Sequence, residues 1–325
     1  MTHHTQKKNG IFALAKELIV LLVIVFFIRT VFFGLYQVPT GSMETTILTG
    51  ERFFAEKLTL WFSKPVRGDI IAFNEPASMY TYSANPIMLF VQQYMWGPKN
   101  LTKRVIGVPG DKIKGVIEDN KPVIYLNDVK LDEPYLNKYP LIAVYQGSPE
   151  QVNQMSEALL TELLLTNRIR PSDVQNLKGT LKAEFTIQKS FDPTKSWADQ
   201  PFYRIRPDRI ALDSEGNPLI RYPNTVLRPE IKPLQRGNGM YWGNNSDEFY
   251  IELGPNEFWC MGDNRLGSGD SRYFGPVDGS LIHGKILYRI WSMDSDESWW
   301  IVDLIKHPID FWKRIRWSRF FERVR

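Results

Sequence analysis

The sequence predicts a mainly β fold: a β-rich domain, an α+β domain inserted into it, and an N-terminal transmembrane helix ahead of both. Three observations lead there. An unbroken apolar run lies near the start, short apolar runs alternate with turn residues over much of the chain, and helical spacing with proline punctuation takes over in the middle.

The apolar run, residues 18–28 (LIVLLVIVFFI), is shorter than the ~18 residues of a spanning helix. Extended back to Ile11 and on to Tyr36 it gives about 26 residues, roughly 39 Å of helix. Lys16 and Glu17 then lie near one interface, and Arg29 snorkels towards the other. Lys7, Lys8 and Lys16 precede the run and favour a cytoplasmic N-terminus. No A-x-A-like cleavage site follows it, so 11–36 reads as an uncleaved anchor after a cytoplasmic tail over 1–10.

From Val38 to about Ile113, runs such as Ile70-Ile71-Ala72-Phe73 follow turn signals such as Arg67-Gly68-Asp69, the pattern of strands. Val123-Ile124-Tyr125-Leu126 with Asn127-Asp128 reads as a further strand and turn. At Ser148 the pattern switches to an N-cap serine, Pro149 at the first helical position and Gln151 at the third. Val152, Met155, Leu159, Leu160 and Leu163 then recur at helical spacing to about Asn167. Pro171 opens a short second helix that Gly179 ends. These changes divide the chain into a β-rich domain over 37–114 plus 253–325 and a domain inserted into it over 115–252. The last segment mixes Trp299, Trp300, Ile309 and Trp312 with Lys306, Lys313 and Arg314. An amphipathic helix in a headgroup region and a helix packed on the domain both fit it, and Pro308 breaks any single helix there.

Composition narrows the chemistry. A total of 40 Lys and Arg against 36 Asp and Glu leaves a net charge of +4, too little for a nucleic-acid binder. The single cysteine, Cys260, excludes a disulfide framework and a cysteine zinc cage. Of 4 histidines, His3 and His4 lie in the tail, and no metal-ligand spacing is present. No metal and no cofactor are expected.

Three clusters set polar side chains on tight turns beside apolar strands. The first is Val38-Pro39-Thr40-Gly41-Ser42-Met43-Glu44. The second runs from Lys103-Arg104-Val105-Ile106-Gly107 through Val108-Pro109-Gly110-Asp111. The third runs from Gly262-Asp263-Asn264-Arg265 to Ser268-Gly269-Asp270-Ser271-Arg272-Tyr273-Phe274-Gly275. Singly, each has an ordinary reading: Ser42 as a turn residue, Lys103 as a solvated strand residue, Asp270 and Arg272 as a surface ion pair on one strand face.

Together the clusters resemble the type I signal peptidases, bacterial leader peptidases that remove signal peptides from exported proteins. The first is similar to that family's serine box, the second to its K-R-V-I-G-L-P-G-D box, and the third to its G-D-N-R-x-x-S-x-D-S-R-x-F/W-G box. Arg67-Gly68-Asp69-Ile70-Ile71-Ala72-Phe73 matches its R-G-D-I-I/V-V-F box apart from Ala72. One departure stands beside the serine: Thr45-Thr46-Ile47 replaces the usual Pro-Thr-Leu, which removes a rigid turn but no catalytic group.

The resemblance implies a signal-peptidase-like β-rich catalytic domain. It implies a membrane-bound serine endopeptidase that cuts after small-residue, Ala-x-Ala-like sites with a Ser–Lys dyad. Ser42 would be the nucleophile and Lys103 the general base. The Thr40 hydroxyl and the Ser42 N–H would form the oxyanion hole, Ser268 would orient Lys103, and Asp270 with Arg272 would support the loop. A lysine is a base only when neutral, so burial must lower its pKa from about 10.4, and Val105, Ile106 and Val108 suit such a site. An extended substrate would add as a strand, with Ile70, Ile71, Phe73 and Met43 available to line its pockets.

The implied partners are preprotein signal peptides and the lipid bilayer, with contact to the protein-translocation machinery left open. The implied location is the cytoplasmic (inner) membrane, single-pass, N-terminus inside, with the catalytic domain on the outer, periplasmic or extracytoplasmic, face. His283 lies outside every box and reads as a turn or core histidine, and Cys260 as a packed strand residue. A self-cleaving repressor-type Ser–Lys peptidase would carry a DNA-binding module where this chain has an anchor. The alternative from another class is a catalytically inactive, membrane-anchored adaptor of the export machinery. The joint presence of Ser42, Lys103 and Ser268 argues against it.

Overall fold

The computed structural model describes residues 14, 16–28, 32–76, 83–94, 99–166, 168–174, 177, 181–182, 185–223, 225–226, 234–236, 240–242, 247–295 and 300–325. Strand β1 (Phe33–Gln37) pairs with β2 (Arg52–Glu56), and the connection between them carries Ser42. Next come β3 (Ile70–Asn74), β4 (Asn100–Gly107), β5 (Lys112–Glu118), β6 (Lys121–Leu126) and β7 (Val129–Lys130). The turns Asp119-Asn120 and Asn127-Asp128 join the last three strands. All four residues take positive φ, 47° to 64°, which two-residue hairpins require and which Asn and Asp tolerate.

The middle of the chain holds β8 (Leu141–Tyr145), β9 (Thr186–Ser190), β10 (Ile220–Arg221), β11 (Leu234–Arg236) and β12 (Met240–Trp242). The chain then forms β13 (Phe249–Glu252), β14 (Glu257–Met261), β15 (Val277–Asp278), β16 (Ile282–Trp291) and β17 (Glu322–Arg323). The fold is mainly β, and every strand pairing among the described residues is antiparallel.

The principal sheet runs β1-β2-β16-β3-β4-β14-β15, with β17 beside β16. Its register sets Ile71 opposite Lys103 and Met261 opposite Arg104, so three motif-bearing strands lie side by side. A second sheet, β13-β5-β6-β7, shares a core with it: Ile113, Ile124 and Phe249 pack with Ile106, Trp259 and Met261. A third, β10-β8-β9, has its own core of Ile142, Val144, Phe191, Tyr203, Ile205 and Ile210, into which Leu48 also packs.

The domain boundaries expected at 115 and 252 therefore need correction. Residue 115 falls inside β5, and the alternating apolar residues of β5, β6 and β13 face the core of the principal sheet. The separate lobe is smaller, built on β8, β9 and β10 with the helix Pro149–Leu165. That helix starts as expected: Ser148 and Gln151 form a capping box, with Gln151 N–H on Ser148 Oγ at 3.2 Å and Ser148 N–H on Gln151 Oε1 at 2.9 Å. Met155 is exposed, however, and the buried stripe is Val152 and Ser156. At Pro171 a 3-10 turn, Pro171–Asp173, opens the expected second helix; Val174, Leu177, Leu181 and Lys182 are helical, and Gly179 lies outside the described residues.

Residues 16–28 are helical, with their apolar side chains exposed. Among the described residues, no helix is long and apolar enough to cross a membrane. Residues 11–13, 15 and 29–31 of the expected anchor lie outside the described residues. The helix does not continue to Tyr36, because Phe33–Gln37 is strand β1, its backbone paired with β2. At the other end of the chain, Pro308 separates two helices, Trp300–Lys306 and Asp310–Lys313. Trp300, Leu304, Phe311 and Phe320 pack around Met293 and Trp291, while Ile305 and Ile309 remain exposed.

Candidate active site

Ser42 sits in a 3-10 turn, Gly41–Met43, on the β1–β2 connection. Met43 and Ile47 pack into the principal core and Leu48 into the lobe core, so both cores hold this connection. Lys103 projects from β4, and its Nζ lies 2.8 Å from Ser42 Oγ. The same nitrogen donates to the Thr102 carbonyl at 3.0 Å. Lys103 is 3% exposed, and burial lowers its pKa to about 8 against the opposing pull of the Asp270 and Asp263 carboxylates. Both carboxylates are committed to arginines, which leaves the ammonium form poorly compensated.

Asp263 accepts Arg104 Nε at 2.8 Å, Arg104 Nη2 at 2.7 Å and the Thr46 hydroxyl at 2.6 Å. Its neighbour Asn264 donates its N–H to the Ser42 carbonyl at 3.1 Å and its Nδ2 to the Gly41 carbonyl at 2.9 Å. A Cβ on Gly262 would collide with Ser268 Oγ and the Ser42 carbonyl oxygen, so glycine alone allows this approach.

Asp270 and Arg272 come together, but in neither of the expected settings. The segment is not a strand: Asp270 caps the helical turn Ser271–Phe274 by accepting the Arg272 N–H at 3.2 Å. Nor is the pair at the surface, since the two residues are 0% and 1% exposed. The Asp270 carboxylate accepts Arg272 Nε at 2.9 Å, Arg272 Nη2 at 3.0 Å and the Gly262 N–H at 3.1 Å. Burial alone would raise its pKa, but the Arg272 guanidinium holds it below the ordinary carboxylate range. Arg272 Nη1 also donates to Asp247 at 2.7 Å, and Nη2 to the Arg265 carbonyl at 2.6 Å.

Ser268 is buried beside Gly262, yet its hydroxyl makes no hydrogen bond of good geometry. The expected bond to Lys103 is therefore absent in this conformation, and the lysine donates to Thr102 instead. Thr40 is exposed just before the 3-10 turn, and its hydroxyl makes no capping bond. A cleft of about 620 Å³ opens there, lined by Val38, Thr40 and Gly41 on one side and by Gln188 and Lys189 of β9 on the other. Ile70, Ile71, Phe73 and Met43 line no such pocket. They are at most 3% exposed and belong to the cores, because β3 is an interior strand.

His283 is a satisfied strand histidine between Tyr36 Oη and Asn100 Oδ1, both at 2.9 Å. Burial lowers its pKa to about 4. The Cys260 thiol is buried and pushed upwards by that burial, so it is no thiolate.

A buried carboxyl group stands beside Ser42. Glu44 is fully buried; its Oε2 accepts the Ser190 N–H at 2.8 Å and the Ser190 hydroxyl at 2.5 Å, and its Oε1 accepts the Tyr203 hydroxyl. Burial raises its pKa against these donors. Membership of the serine box was the only signal for Glu44, and nothing local marked Ser190 or Tyr203. Arg104, Asp263 and Asn264 belong to the second and third motifs, which by themselves give them no role.

Comparison with known proteins adds an independent line. The chain matches the family model described as signal peptidase, peptidase S26, over residues 11–176 and 222–291. The unmatched stretch between them falls in the lobe. The chain is 24% identical over 289 residues to the signal peptidase I of Buchnera aphidicola subsp. Acyrthosiphon pisum, covering 85% of this chain and 74% of that protein. It is 31% identical over 134 residues to the signal peptidase I of Bacillus licheniformis, covering 41% and 60%. A crystal structure of a signal peptidase I from Enterococcus faecalis V583 gives a TM-score of 0.26 at 16% identity, covering 69% of this chain and 97% of that one. At that score the fold rests on this chain's own strands.

Proposed function

The chain belongs to the signal peptidase family, peptidase S26, whose members are serine endopeptidases, and we propose that it removes N-terminal signal peptides from exported preproteins with a Ser42–Lys103 dyad. The observation that carries the dyad is the 2.8 Å approach of Lys103 Nζ to Ser42 Oγ in a buried site.

Neutral Lys103 takes the Ser42 proton as the oxygen attacks the scissile carbonyl. The Ser42 N–H and the Thr40 hydroxyl stabilise the oxyanion, and Lys103 then passes its proton to the leaving amine. In the second half neutral Lys103 takes a proton from the water that attacks the acyl-enzyme, and it returns that proton to Ser42 Oγ as the bond to the acyl group breaks. Ser268, whose hydroxyl lies beside the Asp270 carboxylate, turns to orient Lys103 once substrate is bound. The Asp270–Arg272 pair keeps the Ser268 loop in place.

The substrate is an extended chain with small residues before the cut, read along the cleft beside Val38 and Thr40. The apolar N-terminal segment anchors the protein in the cytoplasmic membrane and ends before β1. The lysines ahead of that segment keep the N-terminus inside and leave the catalytic domain on the outer face.

The test is cleavage of a preprotein bearing an Ala-x-Ala site by the detergent-solubilised full chain, with the new N-terminus read by mass spectrometry. Wild type is expected to cut at that site, and Ser42→Ala to leave the preprotein intact. A folded wild type that cuts nothing would instead mark the chain as an anchored adaptor.

A further inference from the structure

We propose that Glu44 is a positioning residue that ties the Ser42 turn to the lobe built on β8 and β9, which makes that lobe part of the peptidase machinery. The inference rests on the peptidase reading above. Glu44 stands two residues after Ser42, and a Cβ on Gly41 would come within 2.6 Å of its Oε1, so the carboxylate folds back beneath the turn itself. A carboxylate only accepts hydrogen bonds. All three donors that it meets come from the lobe: the Ser190 N–H, the Ser190 hydroxyl and the Tyr203 hydroxyl.

The tie continues on both sides. Tyr203 Oη accepts the Thr49 N–H at 2.9 Å, at the far end of the same connection. Ser190 Oγ accepts Asn137 Nδ2 at 2.9 Å, and the Asn137 N–H donates to the Asp263 carbonyl at 3.0 Å. From Asp263 the chain passes directly to Asn264, which holds the Ser42 and Gly41 carbonyls. A closed circuit thus runs from the nucleophile through the lobe and back through the third motif. Leu48, fully buried in the lobe core, adds an apolar pin. Lys189 and Arg316 flank the Tyr203 ring at 4.9 Å and 5.0 Å and complete the surroundings of the tie.

Lifting Glu44 away from these donors would leave a buried carboxyl group without its hydrogen bonds, so the turn cannot drift from the lobe cheaply. Such stiffness matters at a nucleophile, where a displacement of about 1 Å costs on the order of 10²-fold in rate.

The experiment compares wild type, Tyr203→Phe, Glu44→Gln and the double variant of the full chain in preprotein cleavage, at a temperature where each remains folded. Amide hydrogen exchange over 41–49 is measured alongside. Tyr203→Phe keeps the ring and removes one donor, while Glu44→Gln keeps the shape and removes one acceptor. Each single variant is expected to lose about tenfold or more in kcat with KM unchanged. The double variant should lose no more than the worse single, because both cut one tie. Exchange over 41–49 should quicken in both. Wild-type kcat in Tyr203→Phe with 41–49 still protected, or a loss confined to KM, would overturn the proposal. If the wild type itself cuts no preprotein, the peptidase reading fails, and the exchange data still judge the tie.

Discussion

Lys103 is buried where its neighbouring carboxylates already serve arginines, and that placement has a stability consequence. Its pKa of about 8 in the folded chain lies below the usual 10.5. Between those values the unfolded chain holds more protons, so the burden of this group is full below about 8 and relieved as pH rises to 10.5. Lys103→Met keeps the bulk and removes the titration. It is expected to be inactive yet more stable than wild type at neutral pH, by up to about 3 kcal/mol, with the gain vanishing in strong alkali. Urea unfolding at the two pH values checks this, and equal stability near neutrality would contradict it. Ser42 and Lys103 were legible because each stands in a dense motif. The partners of Glu44 were not, since Ser190 and Tyr203 lie 146 and 159 residues further along and meet it only in the fold.

Among the elements, local chemistry was the readable part. The capping box at Ser148, the turn at Asn127-Asp128 and the break at Pro308 all act within a few residues, and all three appear in the structure. Strand β1 was missed because Phe33, Leu35 and Tyr36 prolong an apolar run, and only pairing with β2 distinguishes them from helix. Asp270 and Arg272, two apart, would share a face in a strand, but here the Asp270 carboxylate caps a helical turn. Because that pair is buried, breaking it should weigh heavily. Arg272→Met leaves Asp270 and Asp247 without their cation and is expected to destabilise by about 3–5 kcal/mol in chemical denaturation. A loss below about 1 kcal/mol would show that the loop does not depend on the pair.

For the whole molecule, the mainly β character followed from alternation and turns, whereas the division into lobes did not. The four-stranded sheet joins the principal core through Ile113, Ile124 and Phe249, and such a contact between distant strands leaves no local trace. The two cores meet on the connection between β1 and β2, where Ile47 enters one and Leu48 the other. Ser42 therefore sits at the seam of the molecule, beside a cleft whose walls come from both parts. That arrangement serves a peptidase only if Lys103 is its base. The most direct measurement is the pH dependence of kcat/KM for preprotein cleavage, with Lys103→Ala run in parallel. Activity should rise with pH through a single ionisation near 8 and then level off, as Lys103 loses its proton, while Lys103→Ala stays inactive throughout. A wild-type profile flat across that range, or cleavage that persists in Lys103→Ala, would contradict the Ser42–Lys103 dyad.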